Sequence, residues 1–464
     1  MIFKQFYLES LAQASYLIGD EKSGIAMVVD PQRDVDLYVD YAHTWNLTIR
    51  YVLLTHFHAD FVAGHIELRN RTGAEICLGA KAHAGFQFRS LPNEYKIEFG
   101  NVRLIVLETP GHTMESISLV VYNLATSKKK PYAVLTGDTL FIGDVGRPDL
   151  MASPGMKADE LAAHLYDSLH EKLLVLPDDT RVYPAHGAGA QCGRSHTVDI
   201  MSTIKEERRE NHALQPMRKE EFIQRVNAYQ PEVPQYFDYD AYLNRREHPD
   251  LEAVLKEETQ PLSLQKVIQL KSDMAQIVDV RNSADFAGSH LNGSINIGLG
   301  GNLAAWAGTI LDRDHPIVII AEPGCEREAM VQLGRVGYDR IVGYLKGGMQ
   351  ALNSTPELVQ CTKRMTASSL SKELAKPGDL LILDVRTEQE WLQRRITDSL
   401  NIPLPQVEKR LCELYQQQTL VIYCTNGYRS SIAASLLQKH GFMNIKDLIG
   451  GFDAWEQEVV VPML

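Results

Sequence analysis

The sequence lacks any run of about 18 apolar residues, any CxxC cysteine pair and any excess of basic residues. The missing apolar run predicts that no helix crosses a membrane, and the first residues do not resemble a signal peptide. The six cysteines are scattered along the chain, which argues against a disulfide framework or a zinc finger and predicts a reduced, cytoplasmic protein. Lys and Arg number 47 against 59 Asp and Glu, a net charge of −12, so neither nucleic acid nor an anionic membrane is expected as a partner.

The C-terminal half contains an internal repeat. The chain of 464 residues is long enough for two or three domains, and blocks of one stretch return 103 to 105 residues later. We therefore expect domains at 1–245, 246–360 and 361–464, the last two being copies of one α/β fold. The matched blocks are Asp279-Val280-Arg281 with Asp384-Val385-Arg386, Ser294–Ile297 with Ser399–Ile402, Ile317–Ile320 with Leu420–Tyr423, and Gly347-Gly348 with Gly450-Gly451.

For the first 245 residues, the sequence pattern predicts short strands separated by helices and by loops rich in His and Asp. Two segments near the end of this region differ from the rest. Pro231–Asp240 reads as an ordered tail on the surface, and the charged stretch Asn244–Glu258 as a connector helix with flanking linker. The predicted strands are Ile25–Val29, Tyr51–Leu54, Arg103–Leu107, Ala133–Leu135 and Arg181–Val182.

Histidines and aspartates follow several of these strands. One strand runs into a tight loop with the pattern His-x-His-x-Asp, and three later strands are each followed by one His or Asp. Side chains just past the carboxyl ends of strands meet at one edge of a layered α/β fold, and imidazoles with carboxylates are metal ligands. The sequence therefore predicts a metal site built from His56, His58, Asp60, His112, Asp138 and His186.

The order of these motifs resembles the metallo-β-lactamase fold, in particular its glyoxalase II and persulfide dioxygenase branch. Residues 137–149, GDTLFIGDVGRPD, are a long match to that branch. Dinuclear hydrolases of the fold continue His-x-His-x-Asp with a second-metal histidine, and this chain has Phe61 there. The resemblance to the dioxygenases implies one Fe(II) per chain, held by His56, His112 and Asp138.

The same resemblance suggests roles for the surrounding residues. Two histidines and one carboxylate leave positions for O₂ and a substrate sulfur. His58, Asp60 and His186 would orient the ligands or serve as further ligands. Two interpretations stay open for Arg147, which would bind an anionic substrate group or form a structural salt bridge. Cys192 lies where many relatives have Asp-Tyr, and it is either a sulfur relay or a passive thiol.

A second motif directly follows a strand of the second repeat. Cys424 heads a loop in front of a predicted helix at Ser430–His440, and inward-pointing backbone N–H groups would favour its thiolate and a persulfide anion. The pattern resembles the rhodanese active-site loop, Cys-x-x-Gly-x-Arg, which makes Cys424 the nucleophile and Arg429 a positive charge beside it. A phosphatase loop would need one residue more. Substrate contacts are expected from Thr425, Asn426, Gly427 and Tyr428.

The first repeat has Ala321 at the position of this cysteine and Glu326 at that of the arginine, so we expect it to be inactive as a sulfurtransferase. Cys325 lies four residues after Ala321, the position that aligns with Cys424, and is next to acidic side chains.

The resemblance covers the whole chain and predicts an α/β multidomain protein, an αββα metallo-β-lactamase fold followed by two α/β rhodanese-like domains. It implies oxidation of a low-molecular-weight persulfide by O₂ to sulfite, and sulfur transfer involving thiosulfate. The thiol carrier stays open between glutathione, coenzyme A and similar thiols, and a homo-oligomer is expected. One alternative is a dinuclear zinc thioester hydrolase of the glyoxalase II type fused to a sulfurtransferase. Another is a non-oxidative sulfur carrier or sensor.

Overall fold

The computed structural model describes residues 1–149, 157–187, 199–228, 230, 233–258, 260–375 and 380–460. The chain divides into two compact units. The first consists of Met1–Val254 with Gly334–Gly337, and the second of Leu255–Leu333 with Tyr338–Leu464. In the described ranges no helix combines the length and apolar character that a bilayer crossing requires.

The first unit contains two six-stranded sheets. The first sheet has the spatial order Ile2–Leu8, Gln13–Asp20, Ile25–Val29, Thr48–Leu53, Glu75–Gly79 and Arg89–Leu91. The second has the order Ser202–Thr203, Arg181–Pro184, Ala133–Gly137, Ile117–Asn123, Val102–Glu108 and Lys96–Phe99.

Alternation of apolar residues along the strands builds the layers. In Val102–Glu108, Leu104 faces the core between the two sheets, whereas Ile105 points to the opposite face and packs in a second cluster with helix residues such as Leu165. The helices cover the outer faces, which gives the predicted αββα arrangement. They are Asp36–Thr44, His65–Thr72, Ala158–Asp167, Ile204–Glu210, Lys219–Asn227 and Tyr236–Leu243, and the helix Leu251–Glu258 begins in this unit and continues into the second.

The second unit contains two parallel five-stranded sheets with the same strand order. Their strands are Pro261–Leu262, Ile341–Leu345, Ile317–Ile320, Gln276–Asp279 and Ile295–Asn296 in the first, and Lys363–Met365, Ile445–Leu448, Thr419–Tyr423, Leu380–Asp384 and Leu400–Asn401 in the second. The helices are Leu264–Ser272, Ser283–Gly288, Leu303–Ile310, Glu326–Arg335, Ala367–Leu374, Glu388–Gln393, Tyr428–Lys439 and Gly451–Val460.

The two repeats also share their buried polar contacts. Arg281 forms an ion pair with Asp279 at 2.6 Å, and Arg386 pairs with Asp384 at 2.6 Å. An asparagine side chain in each repeat donates to the backbone carbonyls of that Asp and Arg, at 3.0 and 2.9 Å in both copies. The expected duplication of one α/β fold is confirmed.

The segment before residue 245 differs from the expectation. Instead of a surface tail, residues 236–243 form a helix whose Tyr236, Phe237 and Ala241 are buried. Their spacing fits one face of a helix, a period that the neighbouring Pro and Asp residues obscured. The expected connector helix covers only Leu251–Glu258, and Asn244 is buried.

Candidate metal centre and sulfur-transfer loop

The predicted metal ligands lie at the carboxyl ends of strands in the first unit. His56, His58 and Asp60 lie between the strand Thr48–Leu53 and the helix that begins at His65, a connection longer than the expected tight loop. His112, Asp138 and His186 each follow a strand of the second sheet. All six side chains are buried. The ligand candidates that follow strands of the two sheets therefore meet in one enclosed site.

His56, His112 and Asp138 form a compact group of donor atoms, all within 4.8 Å of one another. Asp138 Oδ2 lies 3.6 Å from His56 Nε2 and 3.5 Å from His112 Nε2. Two ligands bound at about 2.1 Å to one ion are separated by about 3.0–3.4 Å. The observed distances therefore suit a single metal ion after a small inward movement of the side chains.

The surroundings fix which ring nitrogens point inward. His112 Nδ1 lies 2.9 Å from the backbone oxygen of Arg147, which can only accept a hydrogen bond, so Nδ1 carries the proton and donates. This leaves Nε2 of His112 unprotonated in the neutral ring, as a metal ligand requires. His56 Nδ1 lies 3.0 Å from Thr55 Oγ1, which likewise directs its Nε2 toward Asp138.

The charge states also match a metal site. Burial lowers the pKa of His56 and His112, so both rings are neutral. Burial alone would raise the pKa of Asp138, but His186 and His56 outweigh it and the pKa is lowered. Asp138 Oδ2 is buried and has no hydrogen-bond partner among the described residues, which is the state expected of an atom directed at a cation. These donors fit a divalent ion of the iron or zinc type.

A second group of donors adjoins the first. Ligand atoms of His58, Asp60 and His186 also lie within 4.8 Å of one another. His186 bridges two carboxylates, with Nδ1 2.8 Å from Asp138 Oδ1 and Nε2 2.9 Å from Asp60 Oδ2. Burial opposes the charged imidazolium, but these two carboxylates raise the pKa of His186 well above its usual value. His58 Nε2 lies 3.1 Å from Asp30 Oδ1, so Asp30 belongs to the network as well.

Phe61 lies against this second group. Its ring centroid is 4.4 Å from that of His58 and 6.2 Å from that of His186, and the side chain is buried. An aromatic hydrocarbon therefore occupies space beside the second donor set and offers no ligand atom. Each group therefore has three donors, and Phe61 adds none to the second.

Asn244 is a positioning residue that the sequence did not reveal. Its Nδ2 donates to the carbonyl oxygens of His58 and Phe61, both at 2.8 Å, and its Oδ1 accepts from the N–H of Ala63 at 2.8 Å. The side chain is fully buried, so it satisfies three backbone groups of the metal loop that water does not reach. Its position in a charged stretch typical of a linker gave no signal of this role.

The structure shows the contacts of Arg147 but does not describe Cys192. The Arg147 guanidinium pairs with the Asp149 carboxylate, with distances of 2.8 and 2.7 Å, while its backbone oxygen orients His112. The side chain is only 2% exposed, so the arginine has a structural contact of the kind that one interpretation predicts. Cys192 lies outside the described residues.

The second site surrounds Cys424. The backbone N–H of Gly427 donates to Cys424 Sγ at 3.1 Å, and the thiol lies 3.8 Å from Ser430 Oγ. Gly427 has φ of +102°, a backbone conformation that favours glycine, and the helix Tyr428–Lys439 begins directly after it. The sulfur therefore lies in the curl of the loop in front of a helix N-terminus, where an anion is stabilised.

Arg429 does not act as a free positive charge. Its guanidinium pairs with the Glu390 carboxylate at 2.7 and 2.8 Å and also donates to Thr425 Oγ1 at 2.8 Å. Burial raises the pKa of Glu390, but the contact with Arg429 dominates and lowers it to about 2. Glu390 also caps its own helix through Thr387, so the pair ties the loop to a fixed element. Sequence reasoning missed this partner.

The other loop residues have distinct contacts. Thr425 Oγ1 donates to Glu390 at 3.0 Å, Asn426 Oδ1 accepts from the N–H of Tyr428 at 3.2 Å, and the Tyr428 hydroxyl donates to Gly298 O at 2.8 Å. In the first repeat the strand Ile317–Ile320 is followed by Ala321, which carries no thiol.

Comparison with known proteins agrees with this geometry. Residues 10–186 match the metallo-beta-lactamase superfamily model, and residues 263–355 and 366–458 each match the rhodanese-like domain model. A crystal structure of a metallo-beta-lactamase from Staphylococcus aureus is 31% identical, with a TM-score of 0.68, and the match covers 74% of this chain and 99% of that one. The chain thus belongs to the metallo-β-lactamase superfamily and carries two rhodanese-like domains, as the motifs predicted.

Relatives with described activities match different parts of the chain. Human mitochondrial persulfide dioxygenase ETHE1 is 29% identical over 252 residues, which is 53% of this chain and 88% of the human protein. A sulfurtransferase of Allochromatium vinosum is 37% identical over 99 residues, which is 21% of this chain and 92% of that protein. A β-lactamase hydrolase-like protein of Agrobacterium fabrum is 28% identical over 50% of this chain, which spans only 56% of that protein's length.

Removal of one ligand tests the metal centre. His112→Ala deletes one of three converging donors, so we expect the metal content of the purified protein to fall from about one ion per chain to near zero. His83→Ala removes an exposed histidine and serves as the matched control, with unchanged metal content. Elemental analysis by mass spectrometry measures both. Full metal retention in His112→Ala would contradict the assignment of this ligand.

The role of Asn244 is tested through stability. Asn244→Ala leaves two carbonyl groups and one N–H of the metal loop buried without partners, so the free energy of unfolding should fall by about 3 kcal/mol. Asn70→Ala, at an exposed asparagine of the same unit, should change it by less than about 0.5 kcal/mol. Chemical denaturation followed by circular dichroism provides the measurement. Equal stability of the two variants would show that Asn244 does not support the loop.

Proposed function

We propose that the metallo-β-lactamase domain is a mononuclear Fe(II) persulfide dioxygenase and that the C-terminal rhodanese-like domain is a sulfurtransferase. The convergence of His56, His112 and Asp138, with Phe61 beside the second donor set, carries the first part. The similarity to persulfide dioxygenases supports the same assignment. The overall reaction converts RSSH, O₂ and water into RSH and sulfurous acid, in which the outer sulfur is oxidised and O₂ is reduced.

Residues around the proposed ligands orient the ligands and set the charge of the site. Bound Fe(II) would supply open coordination positions for O₂ and for the persulfide sulfur. Arg147 O and Thr55 hold the two histidine rings in place, and Asp138 offers a negative charge that favours the cation. His186 lies between Asp138 and Asp60, at 2.8 and 2.9 Å, and these two carboxylates raise its pKa.

A dinuclear zinc hydrolase is the second candidate, because a second group of three donors exists. His58, Asp60 and His186 would bind the additional ion, and other relatives of this fold are hydrolases. One residue argues against it. Phe61 supplies no ligand where the dinuclear pattern has histidine, and its ring packs 4.4 Å from that of His58.

The sulfurtransferase proposal rests on the environment of Cys424. The Cys424 thiolate would attack the outer sulfur of thiosulfate, forming a cysteine persulfide and releasing sulfite. The persulfide would then pass its outer sulfur to a thiol or another acceptor. The N–H of Gly427 and the N-terminus of the helix Tyr428–Lys439 stabilise the anionic forms of this sulfur. The similarity to a sulfurtransferase over 99 residues, about the length of one repeat, supports this assignment.

The two proposed reactions share their small molecules. Sulfite formed by the first domain is an acceptor for sulfane sulfur on Cys424, which would yield thiosulfate. Because both sites belong to one chain, the local concentration of the shared compounds is raised. Low-molecular-weight thiol persulfides such as those of glutathione or coenzyme A are the proposed substrates of the first domain. Oxygen consumption with a panel of purified persulfides tests the proposal and identifies the carrier.

Phe61→His discriminates between the two metal-site models. The new imidazole would stand beside His58 and His186 and complete a second ligand set, so metal content should rise from about one toward two ions per chain in zinc-supplemented protein. Phe88→His, at a half-buried position outside both donor sets, is the control and should leave the stoichiometry unchanged. Two zinc ions and thioester hydrolysis in the unmodified protein would instead establish the hydrolase.

Cys424→Ser tests the separation of the two activities. Serine cannot carry sulfane sulfur, so transfer from thiosulfate to an acceptor should fall to background, while persulfide-dependent O₂ uptake should stay within about twofold of the unmodified protein. Cys412→Ser, at an exposed cysteine, should retain both activities. Loss of O₂ uptake in a folded, iron-loaded Cys424→Ser variant would mean that Cys424 feeds sulfur to the iron site.

A further inference from the structure

The helix that follows the Cys424 loop is bound to the inactive repeat through hydrogen bonds. The Tyr428 hydroxyl donates to Gly298 O at 2.8 Å, and the Ser431 hydroxyl donates to Asn296 Oδ1 at 2.6 Å. In return the N–H of Asn296 donates to Ser435 Oγ at 3.0 Å. Asn296 is itself held by Nδ2 contacts within its own repeat, so the catalytic helix rests on a rigid part of the inactive domain.

Tyr428 is also held by its ring. A Cβ atom added to Gly301 would overlap the Tyr428 ring, whereas one added to Gly300 would meet no atom within 4 Å. Gly301 therefore provides space that the tyrosine fills, while Gly300 borders open space. Burial raises the pKa of the Tyr428 phenol, so its hydroxyl stays protonated and donates to Gly298 O at physiological pH.

Tyr428 adjoins the group that contacts the sulfur. The preceding residue, Gly427, donates its N–H to Cys424 Sγ at 3.1 Å. Gly427 has φ of +102° and no side chain to hold it, so its orientation depends on its neighbours. Asn426 Oδ1 accepts from the N–H of Tyr428 at 3.2 Å, so Tyr428 anchors this side of the loop, while Arg429 and Thr425 anchor the other side through Glu390.

We propose that the inactive repeat is part of the sulfurtransferase site, because its residues Gly298 and Gly301 hold Tyr428 and thereby aim the Gly427 N–H at Cys424 Sγ. Tyr428 is then a positioning residue rather than a substrate contact. The proposal rests on the proposed sulfurtransferase function. It explains why a repeat without a nucleophile is retained beside the active one: the catalytic loop lacks a complete support without it.

Two neighbouring glycines offer a matched test in the full-length chain. Gly301→Ala forces the Tyr428 ring to move, and Gly300→Ala adds the same methyl group in open space. Sulfur transfer is measured with thiosulfate as donor and cyanide as acceptor, together with the pH profile of single-turnover sulfite release. Hydrogen exchange of the loop amides, followed by mass spectrometry, reports the loop geometry independently of activity.

We expect Gly301→Ala to lower kcat by about tenfold, the effect of losing one well-placed hydrogen bond to a charged group. Its KM for thiosulfate should change less than its kcat. The acid limb of the pH profile should move to higher pH because the thiolate loses an N–H contact, and the amides of residues 424–429 should exchange faster. Gly300→Ala should match the unmodified protein in all four measurements. Tyr428→Phe keeps the ring and removes only the hydroxyl, so it should show a smaller change in the same direction.

A double variant separates the proposed contact from general damage. In a Tyr428→Ala background the ring is gone, so adding Gly301→Ala should have no further effect on kcat. Equal behaviour of Gly301→Ala and Gly300→Ala, or additive losses in the double variant, would overturn the proposal. If Gly301→Ala does not fold, unchanged kcat and pH profile in Tyr428→Phe overturn it instead. Absence of sulfur transfer in the unmodified protein would refute the proposed function, and hydrogen exchange would still decide whether Gly301 supports the loop.

Discussion

The metal centre depends on the burial of one negative charge. The Asp138 carboxylate is removed from water and lies within 3.6 Å of side-chain nitrogens of His56, His112 and His186. A buried carboxylate is stable only when opposite charge or hydrogen-bond donors surround it. His186 supplies a charged partner on one side, and the free Oδ2 on the other side faces the two neutral histidines. The arrangement leaves one direction for a cation, and the loops from both sheets converge on it.

The position of this centre was predictable because it follows from strand direction. Each of the six ligand candidates stands just after a strand that the apolar pattern indicates, and strand ends determine where the side chains meet. The αββα class and the duplicated α/β domains were equally accessible, since they depend on local periodicity and on repeated blocks. The preference for His56, His112 and Asp138 over the second group rested on the resemblance and stays a prediction, because the structure brings three donors together in each group.

Contacts between residues distant in sequence were not predictable. Asn244 lies in a charged stretch, and nothing near it indicates that its side chain binds the loop at residues 58–63. Arg429 was expected to add positive charge beside the thiol, but nothing near it indicated that its guanidinium pairs with Glu390, 39 residues earlier. Both contacts depend on how completed elements pack, information that a local pattern does not contain. The helix Tyr236–Leu243 was missed for another reason, because Pro and Asp around it resemble a loop.

The distance along the chain between Asn244 and its partners has a consequence for synthesis. The loop that supplies His56, His58 and Asp60 leaves the ribosome more than 180 residues before Asn244 does, as the separations of 186 and 183 residues show. During that interval two carbonyls and one N–H of the loop have only water as a partner. A nascent chain therefore carries an unfinished ligand loop until the end of the helix Tyr236–Leu243 has emerged. Final positioning of the loop is consequently a late event in the folding of this domain, after the strands that precede His112, Asp138 and His186 have already been made.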